Sequence, residues 1–382
     1  MAGKDTFQVP PFATLIMSLI KDIYSPEFFE RFAHTLQGTL PSFNKQKFLG
    51  LIFDESFKNK EWKDRMKHTT RVLHEFLPAG FSNSVSYIRK IIRQLIDEKN
   101  GEDNLAYIFF ADYIETYGLD HLEESVKALE FITQFISCEF AVRPFILKYG
   151  DKMLEYMTAW SLHDSSKVRR LSSEGSRPRL PWAMALPALK RNPAPLLPIL
   201  ENLKNDPSES VRRSVANNLN DIAKDHPDFV IIIARRWTGI SKETDAIIRH
   251  GCRTLLKKGH ADVLTHFNLT GKQIELADFK LPKARVKIGD SLEFSFSIFN
   301  NNVGQQVVRL EYGIYYNKSN GQLARKVFKI SERVYQPYEK AIIKRKQSFR
   351  LITTRKFYAG EHRISIIING QEKEVRAFTL VN

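Results

Sequence analysis

From Phe12 to about Leu256, apolar residues return at three- and four-residue spacing. Phe48, Leu51 and Ile52 do so, as do Ile88, Ile91, Ile92 and Leu95, and then Leu122, Val126, Leu129, Ile132, Phe135 and Ile136. That period puts one apolar stripe on each of a series of amphipathic helices. Breaks such as Leu77-Pro78-Ala79-Gly80 and Tyr117-Gly118-Leu119 divide them. After Gly259 the period changes to two. Leu292 to Phe299 alternates apolar with polar, and further strand-like runs follow at 307–316, 326–330, 342–351, 362–368 and 374–380. Asn300-Asn301-Asn302 and Asn369-Gly370 supply turns between them, and the stretch from Lys280 to Gly289 reads as a linker.

The helical part repeats itself. Val168-Arg169-Arg170-Leu171-Ser172 returns about 43 residues later as Val211-Arg212-Arg213-Ser214-Val215. A weaker echo, Ile248-Arg249-His250-Gly251-Cys252-Arg253, lies about 37 residues further on. In the clearest copy, Asp206-Pro207 interrupts the chain, Ser208 or Ser210 can cap a helix, and Val211, Val215, Leu219 and Ile222 form its apolar stripe. Such units have the character of HEAT-type helical hairpins, which stack into a curved solenoid with a concave inner surface. The expected fold is therefore mainly α: a HEAT-like α-helical solenoid over residues 1–270, followed by a small all-β sandwich of immunoglobulin-like type over 283–382. The sandwich lacks an inter-sheet disulfide, so that label rests on strand pattern alone.

Composition changes the picture through charge. The chain has 382 residues, 43% hydrophobic and 26% charged, ordinary for folded domains. Its net charge is +15. Between Leu281 and Asn382 there are 19 Lys and Arg against 8 Asp and Glu, so +11 of the excess falls in that segment. A charge of this size favours a polyanion, and nucleic acid is the leading partner. Two cysteines, Cys138 and Cys252, are too few for a four-cysteine metal or iron-sulfur site, and they point to a reduced, cytoplasmic protein. The early run from Phe12 to Ile20 is short and follows Pro10-Pro11, so it reads as the buried face of a helix; no membrane span is expected.

Chemistry concentrates between Ser165 and Trp182, SSKVRRLSSEGSRPRLPW. On a helix through Val168 to Glu174, Arg170 and Glu174 share one face while Val168 and Leu171 face a core. In the next repeat Arg213, Asn217 and Asp221 are four apart and share the face opposite Val211, Val215 and Leu219. One such pair alone is an ordinary salt bridge. Recurrence beside a tryptophan favours a site. Glu139, just before Val142-Arg143-Pro144, would lie near the positive end of a helix, where capping is its simplest role. Trp182, after Pro181, is expected to open a helix; left exposed beside carboxylates, it would be a platform for a cationic ligand.

Two segments carry a resemblance: Ser173-Glu174-Gly175-Ser176-Arg177-Pro178-Arg179-Leu180-Pro181-Trp182, and Ser210 to Asp221, SVRRSVANNLND. They resemble the HEAT-like-repeat DNA alkylation-repair glycosylases, and the basic β-rich C-terminal domain points to the AlkC branch rather than the AlkD branch. The resemblance implies hydrolysis of the N-glycosidic bond of N3-alkylated bases in duplex DNA, with 3-methyladenine and 3-methylcytosine as the expected lesions. It implies Glu174 as the carboxylate facing the sugar, with Asp221 and Glu139 as companions and Trp182 against the deoxyribose or the lesion. Recognition through the DNA backbone and bend, without a deep pocket for a flipped base, is implied as well. Lys167, Arg169, Arg170, Arg177, Arg179, Arg212, Arg213 and Arg249 would then contact phosphates. Lys344, Arg345, Lys346, Arg355 and Lys356 would do so from the β-domain as it closes over the duplex.

An alkylated base is already cationic, so it needs little acid assistance to leave. What remains is stabilising an oxocarbenium-like sugar and placing a water, tasks for carboxylates. No lysine stands out in the constellation as a Schiff-base nucleophile, so a monofunctional enzyme is expected, without cofactor or metal, acting as a monomer. The alternative is a non-catalytic HEAT scaffold that binds nucleic acid or protein through the same basic groove. It would keep the arginines without needing Glu174, Asp221 and Trp182 together. A helix-hairpin-helix glycosylase is disfavoured by the missing hairpin motif and the missing cysteines.

Overall fold

A computed structural model describes residues 20–99, 105–269, 273–351 and 356–382. The chain forms two compact units, divided between Asn218 and Leu219. The helices are α1 (Pro26–Thr39), α2 (Lys45–Ile52), α3 (Trp62–His74), α4 (Phe81–Asp97), α5 (Phe109–Tyr117), α6 (Leu122–Ile132), α7 (Val142–Tyr149) and α8 (Asp151–Trp160). They continue with α9 (Ser166–Gly175), α10 (Pro187–Arg191), α11 (Leu197–Leu203) and α12 (Glu209–Ile222), which passes from the first unit into the second.

Sequence explains where these helices start. Ser25 caps α1 by accepting from the Phe28 amide at 3.2 Å, with Pro26 at the first position. Asn44 caps α2 through the Lys47 amide. Phe28, Phe29, Phe32, Phe48, Tyr107, Phe109, Phe110 and Phe135 interlock as the core behind the first helices, with ring centroids 4.6 to 6.5 Å apart. Further along, the expected stripes are in place. Val168, Leu171, Val211 and Val215 are fully buried, and the break at Asp206-Pro207 precedes α12 as the sequence suggests.

The second unit continues with α13 (Pro227–Trp237), α14 (Lys242–Gly251), α15 (Arg253–Lys258) and α16 (Ala261–His266). The strands follow: β1 (Ile274–Lys280), β2 (Arg285–Lys287), β3 (Ser291–Asn300), β4 (Gln306–Asn317), β5 (Leu323–Tyr335), β6 (Lys340–Ser348), β7 (Gly360–Ile368) and β8 (Gln371–Val381). They make a three-stranded sheet ordered β1-β3-β6 and a five-stranded sheet ordered β2-β8-β7-β4-β5. Alternate residues of β3, Leu292, Phe294, Phe296 and Ile298, meet Val308, Leu310, Tyr312 and Ile314 of β4 and Ile364, Ile366 and Ile368 of β7 in one core. The six strand-like runs read from the sequence are β3 to β8. β1 and β2 were not legible, and β2 lies inside the stretch read as a linker. Ala277-Asp278 breaks the alternation of β1 where its register shifts, with Asp278 at φ +53°, and β2 is only three residues long.

Helices α14 and α15 meet the five-stranded sheet at β5 and at the β7–β8 turn. Arg249 of α14 pairs with Glu332 of β5, which also holds Arg309 of β4 at 2.9 Å, and Arg309 reaches Glu311 at 2.6 Å in a buried chain of charges. Gly259, the left-handed C-cap of α15 at φ +71°, lies against Gly370 in the β7–β8 turn at φ +74°. A Cβ on Gly259 would stand 2.6 Å from the Gly370 carbonyl oxygen, and one on Gly370 would stand 2.6 Å from the Gly259 Cα. Only glycine fits at either place.

Candidate active site

Helix α9 brings the expected chemistry to one end. Its buried residues Val168 and Leu171 seat it on the core, and Gly175 closes it where a Cβ would meet Val142 Cγ1 at 2.5 Å. Glu174, 6% exposed, is thereby held at the helix end, where Oε1 accepts from Arg177 Nη1 at 2.6 Å. Both side chains of this pair are buried. From the turn before α7, Glu139 Oε2 accepts from Ser137 Oγ at 2.9 Å and pairs with Arg170 Nη1 at 2.8 Å. Arg170 also donates to Ser137 Oγ at 3.2 Å.

Glu139, Glu174 and Arg177 line one cleft of about 290 Å³ with Trp62, Ile108, Phe140 and Trp182. The apolar walls and few polar groups are what a small-molecule or base-sized site requires. Trp182 does not open a helix as expected. It sits in a turn at φ +63°, 68% exposed, with its ring 6.2 Å from that of Trp62 and tilted by 56°. The left-handed backbone forbids continuation into a helix, because a bulky residue is strained there. Lys63 of α3 donates to the Trp182 carbonyl and lies 5.5 Å over the Phe140 ring. An exposed indole beside two carboxylates suits a cationic or sugar-like ligand.

The remaining candidates are dispersed. Asp221, in the second unit, is 1% exposed and takes Lys224 Nζ at 2.8 Å. Arg169 grips the buried Asp206 carboxylate with two bonds, at 2.6 and 3.1 Å. Arg212 donates to the Asp206 and Pro207 carbonyls, and Lys167 to the Gln134 carbonyl. Arg213 is exposed and pairs with Glu209. Arg179 is partly exposed, and Arg249 lies over the Phe267 ring at 4.3 Å. On the sandwich, Lys344, Arg345 and Lys356 are exposed, and exposed Lys346 pairs with Glu293 at 2.6 Å. Arg355 lies outside the described residues.

Sequence reading missed Trp62, Lys63 and Phe140. Phe140 adjoins Glu139 and was within reach of inspection, whereas Trp62 and Lys63 lie more than a hundred residues before Trp182 and carry no local signal. Both cysteines are buried free thiols, and burial pushes the Cys252 thiol up to about 12. Among the described residues, no group of three or more His, Cys, Asp or Glu is placed to hold a metal ion, and no helix is long and apolar enough to cross a membrane.

Helical repeats followed by an Ig-like sandwich set the class in which relatives of this chain are to be sought. Residues 196–226 match the HEAT repeat, and residues 275–382 match the C-terminal Ig-like domain of the uncharacterised protein YhaZ. The chain is 45% identical to the uncharacterized protein YhaZ of Bacillus subtilis over 359 residues, 94% of this chain and 98% of that protein. It is 32% identical to the Pseudomonas fluorescens alkylpurine DNA glycosylase AlkC, solved bound to DNA containing an abasic site analog, with a TM-score of 0.90 over 95% of this chain and all of that one. The chain belongs to the AlkC family of DNA alkylation-repair glycosylases.

Proposed function

We propose that this chain is a monofunctional DNA glycosylase that releases cationic N3-alkylated bases, 3-methyladenine and 3-methylcytosine among them, from duplex DNA and so initiates base excision repair. The observation that carries the reading is the cleft where the buried Glu174 carboxylate and the exposed Trp182 ring stand together. The relative solved with abasic-site DNA supports the choice of duplex DNA as partner.

The chemistry asks for little else. The bond from C1′ to the base nitrogen breaks with its electron pair on the cationic base, which leaves neutral. Positive charge then develops on the sugar ring. Glu174, held by Arg177, faces that charge in a cleft with low-dielectric walls, and Glu139 supports it or holds the water. Water adds to C1′ and gives its proton to a carboxylate. Trp182 presents its ring face to the deoxyribose or the cationic base. Arg213, Arg179 and the exposed basic residues of the sandwich supply phosphate contacts, while the internally bonded Arg169 and Arg212 contribute field rather than direct contact.

The deciding experiment is release of free base from duplex DNA bearing 3-methyladenine or 3-methylcytosine, with Glu174→Gln beside the wild type. The wild type should release base, and the variant should do so on the order of a hundredfold to a thousandfold more slowly with affinity for the DNA retained. Salt-sensitive binding without release from either would replace this reading with that of a non-catalytic scaffold.

A further inference from the structure

We propose that Arg143, which lies outside the cleft, is the positioning residue that sets Trp182 and the Glu174–Arg177 pair; this rests on the glycosylase reading above. Arg143 is the second residue of α7 and is fully buried. Its Nε donates to the Met184 carbonyl at 2.7 Å, and its Nη1 donates to the Gly175 carbonyl at 2.9 Å and the Arg177 carbonyl at 2.8 Å. A guanidinium withdrawn from water persists only where its donors are met. Here Nε and Nη1 are met by backbone, and all three carbonyls belong to one excursion of the chain.

That excursion runs from the end of α9 to the residues after Trp182, and it contains the partner of Glu174. Gly175 fixes its start, Arg177 its middle and Met184 its return. Its own backbone bonds include Arg177 to the Glu174 carbonyl at 3.3 Å, Ala183 to the Leu180 carbonyl at 3.3 Å and Leu186 to the Pro178 carbonyl at 3.2 Å. Trp182 is held left-handed at its crest, and such a conformation lasts only when the surroundings over-determine it. The planar fork of Arg143 spans three carbonyls at once. Gly175 shows how closely this end of α9 approaches α7 and α8, since a Cβ there would meet Val142 Cγ1 of α7 at 2.5 Å and Met157 Cε of α8 at 3.2 Å. Arg143 therefore acts on the ligand only through Trp182 and Arg177.

The test uses full-length Arg143→Lys and Arg143→Met, each also made in a Trp182→Phe background so that the emission of Trp182 is obtained by difference. Lysine keeps the charge but cannot reach three carbonyls, so it decides the matter if the methionine variant fails to fold. In single turnover, excision should fall about a hundredfold, as a displacement of about 1 Å at a reacting centre does. Affinity for abasic-site DNA should stay within a few-fold. The Trp182 emission and its quenching by acrylamide should change in the free protein. A folded variant with wild-type excision and unchanged Trp182 emission would overturn the proposal. Should the wild type itself release no base, the glycosylase reading fails, while the Trp182 emission still decides whether Arg143 sets the ring.

Discussion

Arg169 and Arg212 make the same pair of bonds one repeat apart. Each sends Nη1 back to the carbonyls six and five residues before it, Arg169 to His163 and Asp164 and Arg212 to Asp206 and Pro207. The arginine thus fastens its own helix to the loop that precedes it. Arg169 goes further and binds the Asp206 carboxylate, so the loop of one repeat is tied to the helix of the one before.

Arg169→Ala should consequently cost stability before it costs DNA affinity. It leaves the Asp206 side chain, 3% exposed, without its bidentate partner, and the expected loss is about 3 kcal/mol. Arg213→Ala should do the reverse, since Arg213 is 64% exposed and its pair with Glu209 contributes little. Urea unfolding together with DNA titration separates the two. Equal losses of stability would refute the assignment.

The backbone of Trp182 gives a second expectation. Trp182→Gly and Trp182→Ala both remove the ring and should both lose excision. They should differ in stability, because glycine accepts φ +63° without the Cβ penalty that alanine keeps. The glycine variant should be more stable than the alanine variant by about 1 kcal/mol, read from thermal unfolding.

This contrast marks what the sequence discloses. The stripe of Val211, Val215 and Leu219 and the alternation of β3 arise from burial, which leaves a period in the residues themselves. Glu174, Glu139 and Trp182 were found through charge spacing and resemblance, and the structure gathers these three in one cleft. The left-handed turn at Trp182 was invisible because it is imposed from elsewhere, by Lys63 and the residues around the excursion rather than by a local turn motif. Arg143 was visible only as a residue of α7, since its partners are carbonyls that every residue has. β1 was hidden by its own irregularity at Asp278.

Glu115 on α5 should make stability depend on pH. Burial foremost, and the Asp112 carboxylate next, push its pKa from 4.5 to about 7, against the pull of Lys67 and Lys63. A carboxyl raised in the folded state binds its proton more tightly there than in the unfolded chain. Its contribution is therefore full below pH 4.5 and falls as pH rises to about 7. The loss reaches at most about 3 kcal/mol. The difference in urea stability between the wild type and Glu115→Gln should change across that window and be flat above it. A difference that is constant from pH 4 to 8 would contradict the assignment.

Gly370→Ala tests the joint between helix and sheet. The added Cβ would meet the Gly259 Cα at 2.6 Å on a backbone already left-handed, so a loss of about 2–4 kcal/mol is expected. Gly239 is a suitable control. It too is left-handed, at φ +82°, but has open space around its would-be Cβ, and Gly239→Ala should cost only about 1 kcal/mol. Similar losses at both would mean that the close approach is not what matters.

The same joint decides what in the second unit is able to swing. Main chain resting on main chain leaves no side chain to rotate out of the way, and the charges from Arg249 to Glu311 fasten the neighbouring ground. Among the described residues, the sandwich is fastened to α14 to α16 at both of these places. A displacement of the strands therefore carries those helices with it.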